Sequence, residues 1–191
     1  MKKIATHDSA TGERPVWYTA WTVPFARTQS KTIAEQYAAG CRSFDIRLRK
    51  HKGEWHCAHG LFITRRKALD ILAEIASFPD RCQVCLTYEG GTADIISISE
   101  FITLAEKLRH RFAHVVWGET SIKYGSRSSG VQVAYDTLLP PQKLYEGGVQ
   151  GFLPLDGKTW HTLLPFPWLW NKIYTAPHEF NEQTYTFVDF L

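Results

Sequence analysis

The sequence predicts an α/β fold, a small, reduced (β/α)8 TIM-type barrel with helices missing in the second half. Three observations point there. Short apolar runs alternate with amphipathic helical segments as far as Gly118. Polar residues suited to catalysis stand at the ends of successive strands. No glycine-rich phosphate fingerprint follows the first strand, which argues against a doubly wound open sheet.

The elements follow in order. Residues 3–6 form a short strand that runs into His7-Asp8-Ser9. After a polar, Pro-containing stretch, residues 32–39 read as a helix that Gly40 stops. Residues 42–50 are a strand, because Phe44, Ile46 and Leu48 alternate with Asp45, Arg47 and Arg49. A Lys52-Gly53 turn leads to a third strand at 54–59. Leu69, Leu72, Ile75 and Ala76 have helical spacing within 68–78. A fourth strand, 83–89, ends in Gly90-Gly91. A second amphipathic helix spans 99–112, with Ser97 or Ser99 and Glu100 near its start, and a fifth strand spans 114–118. Beyond it, residues 142–145, 173–176 and 185–190 are candidate strands six to eight, set among loops rich in Gly, Pro and Trp.

The totals fit a single domain over residues 1–191, with a formal charge of +3 and an ordinary soluble composition. Basic residues cluster at 47–52, 65–67 and 109–111, the last two read as solvated faces and strand ends. No motif or aromatic pattern supports nucleic acid as a partner. Cys82 and Cys85 are two residues apart but have no matching second pair, so Cys41, Cys57, Cys82 and Cys85 are expected as buried thiols rather than zinc ligands. No signal peptide or bilayer-spanning run is visible. The expected location is cytoplasmic if Met1 is the native start, and exported otherwise.

Strand one ends in His7-Asp8, strand two holds Asp45 and Arg47, strand three ends in His59-Gly60, and strand four ends in Glu89. In a parallel barrel those ends share one face. Two imidazoles can there divide the work of base and acid near neutral pH. An arginine offers a fork of donors matched to phosphate oxygens. A carboxylate behind each histidine would fix its tautomer. Each piece has a plainer reading: a turn element for His7-Asp8, a structural ion pair for Asp45 and Arg47, and a hydrogen-bonded histidine for His59. Their position at successive strand ends makes the set point to acid-base cleavage of a phosphodiester.

Residues Thr6-His7-Asp8-Ser9-Ala10-Thr11-Gly12 and Gly40-Cys41-Arg42-Ser43-Phe44-Asp45-Ile46-Arg47 resemble the first two catalytic strands of the phosphatidylinositol-specific phospholipase C X-domain family. His59-Gly60 is similar to the third strand, and Gln83-Val84-Cys85-Leu86-Thr87-Tyr88-Glu89 to the fourth. The match covers roughly the first 90 residues. The resemblance implies that His7 is the general base, His59 the general acid and Asp8 its partner, with Arg47 holding the phosphate. A hydroxyl beside the phosphate would attack phosphorus to give a cyclic phosphodiester. The bacterial branch uses an aspartate on the last strand to support the first histidine, and Asp189 is the candidate.

Animal members of the family carry a calcium-binding carboxylate where this chain has Arg47, so no metal is expected. Glu89 keeps Ca2+ open as an alternative. Bacterial members use a lysine on strand four to contact inositol; this chain has Thr87 and Tyr88 there. Lys123, Tyr124 and Arg127 follow strand five and could contribute substrate contacts, as could Glu89. The expected partner is a lipid phosphodiester, met by a monomer. Phe166, Trp168 and Trp170 offer a transient membrane contact, or else close the thin side of the barrel. Two other readings stand beside this one: a metal-dependent glycerophosphodiester phosphodiesterase, which should open on His-Arg-Gly, and a non-catalytic binding barrel.

Overall fold

The computed structural model describes residues 4–90, 95–124, 134–140 and 186–188. In chain order these form β1 (Ile4–Thr6), two 3-10 turns (Ser9–Gly12 and Trp17–Thr22), α1 (Val23–Ala26), α2 (Ile33–Ala38), β2 (Cys41–His51), β3 (Glu54–His59), β4 (Phe62–Lys67), α3 (Ala68–Ser77), β5 (Gln83–Tyr88), α4 (Ile95–Arg111), β6 (Val116–Tyr124), β7 (Ala134–Leu139) and β8 (Thr186–Val188). The heart of the sheet is parallel, in the order β8, β1, β2, β5, β6. β3 runs antiparallel on β2, β4 on β3, and β7 on β6.

The alternation in β2 decides which face is which. Phe44, Ile46 and Leu48 join Val84, Leu86 and Tyr88 of β5 in the apolar core. Over them pack Ile33 of α2, Ile71, Leu72 and Ile75 of α3, and Phe101, Ala105 and Leu108 of α4. The intervening residues Ser43, Asp45, Arg47, Gln83 and Thr87 turn to the other face, are buried as well, and are polar. The sheet therefore has an oily side covered by helices and a polar side that carries the candidate chemistry.

Local signals explain the helices. Thr32 caps α2 in a full capping box with Glu35. Gly40 follows with φ +100, a conformation that favours glycine. α4 begins at Ile95, earlier than the serine signals at 97 and 99 suggest, and Arg109, His110 and Arg111 fill its last turn.

An all-parallel closed barrel is not what the described strands make. Lys52 and Gly53 have φ of 49 and 83, the conformation of a tight hairpin turn, so β3 must return antiparallel to β2. A two-residue connection cannot cross over to a parallel neighbour. β4 and β7 are further strands that the sequence reading did not include, and β6 extends six residues past Gly118. Among the described residues no pairing joins β7 to β8, and the result is a mixed α/β sheet. The last strand does form beside the first, with Ala5 opposite Phe187. The candidate strands at 142–145 and 173–176, and Arg127, Phe166, Trp168, Trp170 and Asp189, lie outside the described residues. No described helix is long and apolar enough to cross a membrane.

The turn after β1 is held tightly from below. An ideal Cβ on Gly12 would lie 1.8 Å from the carbonyl oxygen of Lys31. Gly12→Ala should therefore cost about 2 kcal/mol or more, since backbone must move to admit a methyl group. Urea unfolding checks this, and an unchanged midpoint would show that the two segments do not press together.

Candidate active site

β1 and β3 reach the site from opposite directions along one edge of β2. β1 covers the first part of that edge, with Thr6 opposite Phe44. β3 descends along the later part, with Leu48 opposite Cys57. The chain of β1 thus continues into His7 beside Asp45, while β3 ends at His59 two residues past Cys57. The two histidines meet in the gap between the strand ends, and their ring centroids lie 6.3 Å apart.

Asp8 lies between them. Its backbone is left-handed (φ 44, ψ 49), a region that aspartate tolerates better than most residues. Its N–H donates to Asp45 Oδ2 (3.2 Å), and its carbonyl accepts from Thr11 N (2.9 Å). The carboxylate is buried. Oδ2 lies 3.3 Å from His7 Nε2 and 3.3 Å from His59 Nε2, and Oδ1 lies 2.5 Å from Arg47 Nε. None of the three is aligned as a hydrogen bond, and the Arg47 Nε–H is directed at Asp45 Oδ2 (3.1 Å). Burial by itself would raise the Asp8 pKa. The charge of Arg47, then His59, His7 and Lys123, outweighs it and holds the carboxyl well below the ordinary range.

Arg47 is buried and reaches every carboxylate of the site. Besides Asp8 and Asp45 it contacts Glu89 Oε2 through Nη1 (3.5 Å). Its Nη2 lies 2.7 Å from His7 Nε2. A guanidinium can only donate, so His7 Nε2 is the accepting, unprotonated nitrogen. His59 is held differently: its Nδ1 lies 2.7 Å from the carbonyl of Ala26, which can only accept. Nδ1 therefore carries a proton, and Nε2 is turned to Asp8. One ring is arranged to receive a proton and the other to hold one beside a carboxylate.

Glu89 extends the cluster. Oε1 accepts from Lys123 Nζ (2.6 Å) and from the Gly60 N–H (3.1 Å). Burial opposes ionisation here too, and Arg47 and Lys123 overcome it, so its pKa lies below the usual value. The described residues of the sequence-predicted set, His7, Asp8, Asp45, Arg47, His59, Glu89 and Lys123, are thus brought into one connected group. Asp189 lies outside the described residues.

Three supports escaped the sequence reading. The Ala26 carbonyl orients His59, Thr28 and Gln29 side chains donate to the His7 carbonyl (2.8 and 3.1 Å), and the Gly60 amide orients Glu89. Two of these are main-chain groups, which leave no residue signature. The Thr and Gln side chains sit in a loop whose fold was not legible. Among the described residues, the cluster with metal-ligand spacing is His7, Asp8 and Asp45. The cysteines are free thiols, and burial pushes Cys41 up to about 11 and Cys82 up to about 12.

The depressed carboxylates make stability depend on pH in a defined direction. With folded pKa values below the unfolded ones, the native state binds fewer protons in acid. Their contribution is present above about pH 5 and is lost as pH falls toward the folded values. Asp8→Asn removes one such group, so its stability should fall less steeply with acid, by up to about 1.4 kcal/mol per pH unit. The variant starts less stable, and the slope carries the test: parallel slopes in urea titrations from pH 5 to pH 2.5 (about the window just named) would contradict the assignment.

No protein-family model matches the chain, and neither does any curated protein. Among solved structures it is similar to phosphatidylinositol-specific phospholipase C from Listeria monocytogenes, with 14% identity, 79% of this chain and 61% of that chain covered, and a TM-score of 0.45. It is also similar to the Staphylococcus aureus enzyme bearing a pentafluoro-Phe, with 18% identity, 61% and 48% coverage, and a TM-score of 0.43. The chain spans from about half to three-fifths of the length of these proteins.

Proposed function

We propose that the chain is a phosphodiesterase that cleaves a phosphoinositide or related lipid phosphodiester by two-histidine acid-base catalysis, without a metal. The observation that carries the reading is the pair of unlike imidazoles on one buried carboxylate, Asp8, each 3.3 Å from Oδ2. His7 Nε2 takes the proton of a substrate hydroxyl next to the phosphate. The freed oxygen attacks phosphorus and forms a cyclic phosphodiester. The bond to the lipid oxygen breaks, and His59 Nε2 gives that oxygen its proton. Asp8 stabilises the imidazolium that stands before and after each transfer. Arg47 Nη2, which faces His7 in the free protein, turns its donor to a phosphate oxygen as substrate enters.

The same guanidinium supports metal independence. The ligand atoms of His7, Asp8 and Asp45 lie within 4.8 Å of one another and would suit a divalent ion. Arg47 Nε already sits on Asp8 Oδ1 and Asp45 Oδ2, so its charge occupies the role an ion would take. The metal cluster nonetheless favours one second reading, a calcium- or metal-dependent phosphodiesterase such as a glycerophosphodiesterase.

Release of a cyclic inositol phosphate from labelled phosphatidylinositol in excess chelator tests the proposal. His7→Ala and His59→Ala should each lower turnover by about 10²–10⁴-fold, with a bell-shaped pH profile in the parent protein. Activity that disappears with chelator would favour the metal-dependent reading. Unchanged turnover in either histidine variant would end the two-histidine mechanism.

A further inference from the structure

One buried hydroxyl ties together the supports of both histidines. The side chain of Thr11 is buried between the His7-Asp8 turn and the strap of residues 26–31 that follows α1. A threonine hydroxyl has one proton to give and two lone pairs to fill. Thr11 Oγ1 donates to the Asp8 carbonyl (2.8 Å) and accepts from the main-chain N–H groups of Thr28 (3.0 Å) and Gln29 (3.1 Å). Its capacity is then complete. Thr28 Oγ1 lies 2.9 Å from Thr11 Oγ1 and gives its own proton to the His7 carbonyl (2.8 Å). The Arg27 Nε–H returns to the Thr11 carbonyl (3.2 Å).

The far end of the strap has other anchors. Gln36 Nε2 donates to the carbonyls of Ser9 (2.8 Å) and Lys31 (2.7 Å), and the Lys31 carbonyl lies close against Gly12. The near end meets the turn through Thr11, Arg27 and Thr28. It is the near end that carries Ala26, whose carbonyl receives the Nδ1 proton of His59 (2.7 Å). A neutral imidazole has one proton, and the partner of one nitrogen decides which nitrogen keeps it. With the Ala26 carbonyl in place, His59 retains the proton on Nδ1. With that carbonyl displaced, the Asp8 carboxylate draws the proton to Nε2.

We propose that Thr11 is a positioning residue for both histidines: its hydroxyl sets the strap, and the strap seats the His7 main chain and fixes the proton-bearing nitrogen of His59. Only the effect on turnover rests on the phosphodiesterase reading; the tautomer is read without substrate.

The test is NMR of isotopically labelled ring nitrogens at alkaline pH, where the imidazoles are neutral. The parent should show His59 protonated on Nδ1. Thr11→Val keeps the shape, removes the hydroxyl and leaves two buried amides without their acceptor. It should move the His59 proton toward Nε2 and lower kcat on labelled phosphatidylinositol by about 10²-fold, with KM little changed. Thr11→Ser should restore both tautomer and rate. Thr28→Val keeps the main-chain donors to Thr11 and should leave the His59 tautomer as in the parent. A parent-like His59 in Thr11→Val, an equal shift in Thr28→Val, or a serine variant that behaves like valine would overturn the proposal. Should Thr11→Val not fold, Thr11→Cys takes its place. A thiol accepts weakly, so the same shift is expected, and its absence would count equally against the proposal. If the tautomer shifts as expected and the parent cleaves no phosphodiester, the positioning stands and the enzymatic reading fails.

Discussion

The arrangement depends on one buried contact, the Asp8 carboxylate against the Arg47 guanidinium. Both side chains are withdrawn from water, and a lone charge in that position would be costly. Each is tolerable because the other is present. The pair is not symmetrical, however. Arg47 spreads over Asp45 and Glu89 as well, and Asp8 is left with an oxygen turned to two imidazoles. Three carboxylates thereby face two permanent cations, Arg47 and Lys123. A single imidazolium, that of His59 in the proposed mechanism, brings the cluster to balance and leaves His7 free to accept a proton.

The sheet makes that contact possible by an unusual use of one strand edge. β2 is long enough to serve two partners on the same side, β1 in the parallel sense and then β3 in the antiparallel sense. Strand ends that meet head-on leave a gap, and both residues that border it are histidines. A parallel barrel would bring such residues together by placing successive strand ends on one rim. Here the hairpin does the same work in less chain. Because the two rings belong to separate strands with separate supports, they acquire different partners: a guanidinium for His7 and a carbonyl for His59. That difference makes them suited to opposite proton-transfer roles.

The segment from Thr11 to Lys31 has two unlike sides. Its inner side is polar: Thr11 donates to the Asp8 carbonyl, and Thr28 and Gln29 donate to the His7 carbonyl. Its outer side carries Trp17 and Trp21 into solvent.

The sequence by itself determined the short-range facts. Alternation at Phe44, Ile46 and Leu48 against Asp45 and Arg47 set the two faces of β2, because side chains on a strand reverse at every residue. The His-Asp and Asp-x-Arg spacings named the polar residues that the described fold brings together. Thr32 and Gly40 marked the ends of α2 through local hydrogen bonds and backbone freedom. The two-residue Lys52-Gly53 connection likewise required β3 to return antiparallel beside β2, a local constraint that the parallel-barrel expectation did not respect. Only the tertiary structure decided that Ala26 supplies the carbonyl for His59, and that Lys123 meets Glu89 from 34 residues away. Periodicity and capping are properties of neighbours along the chain. Main-chain partners and the company a buried charge keeps are fixed by packing between distant segments, and no local pattern encodes them.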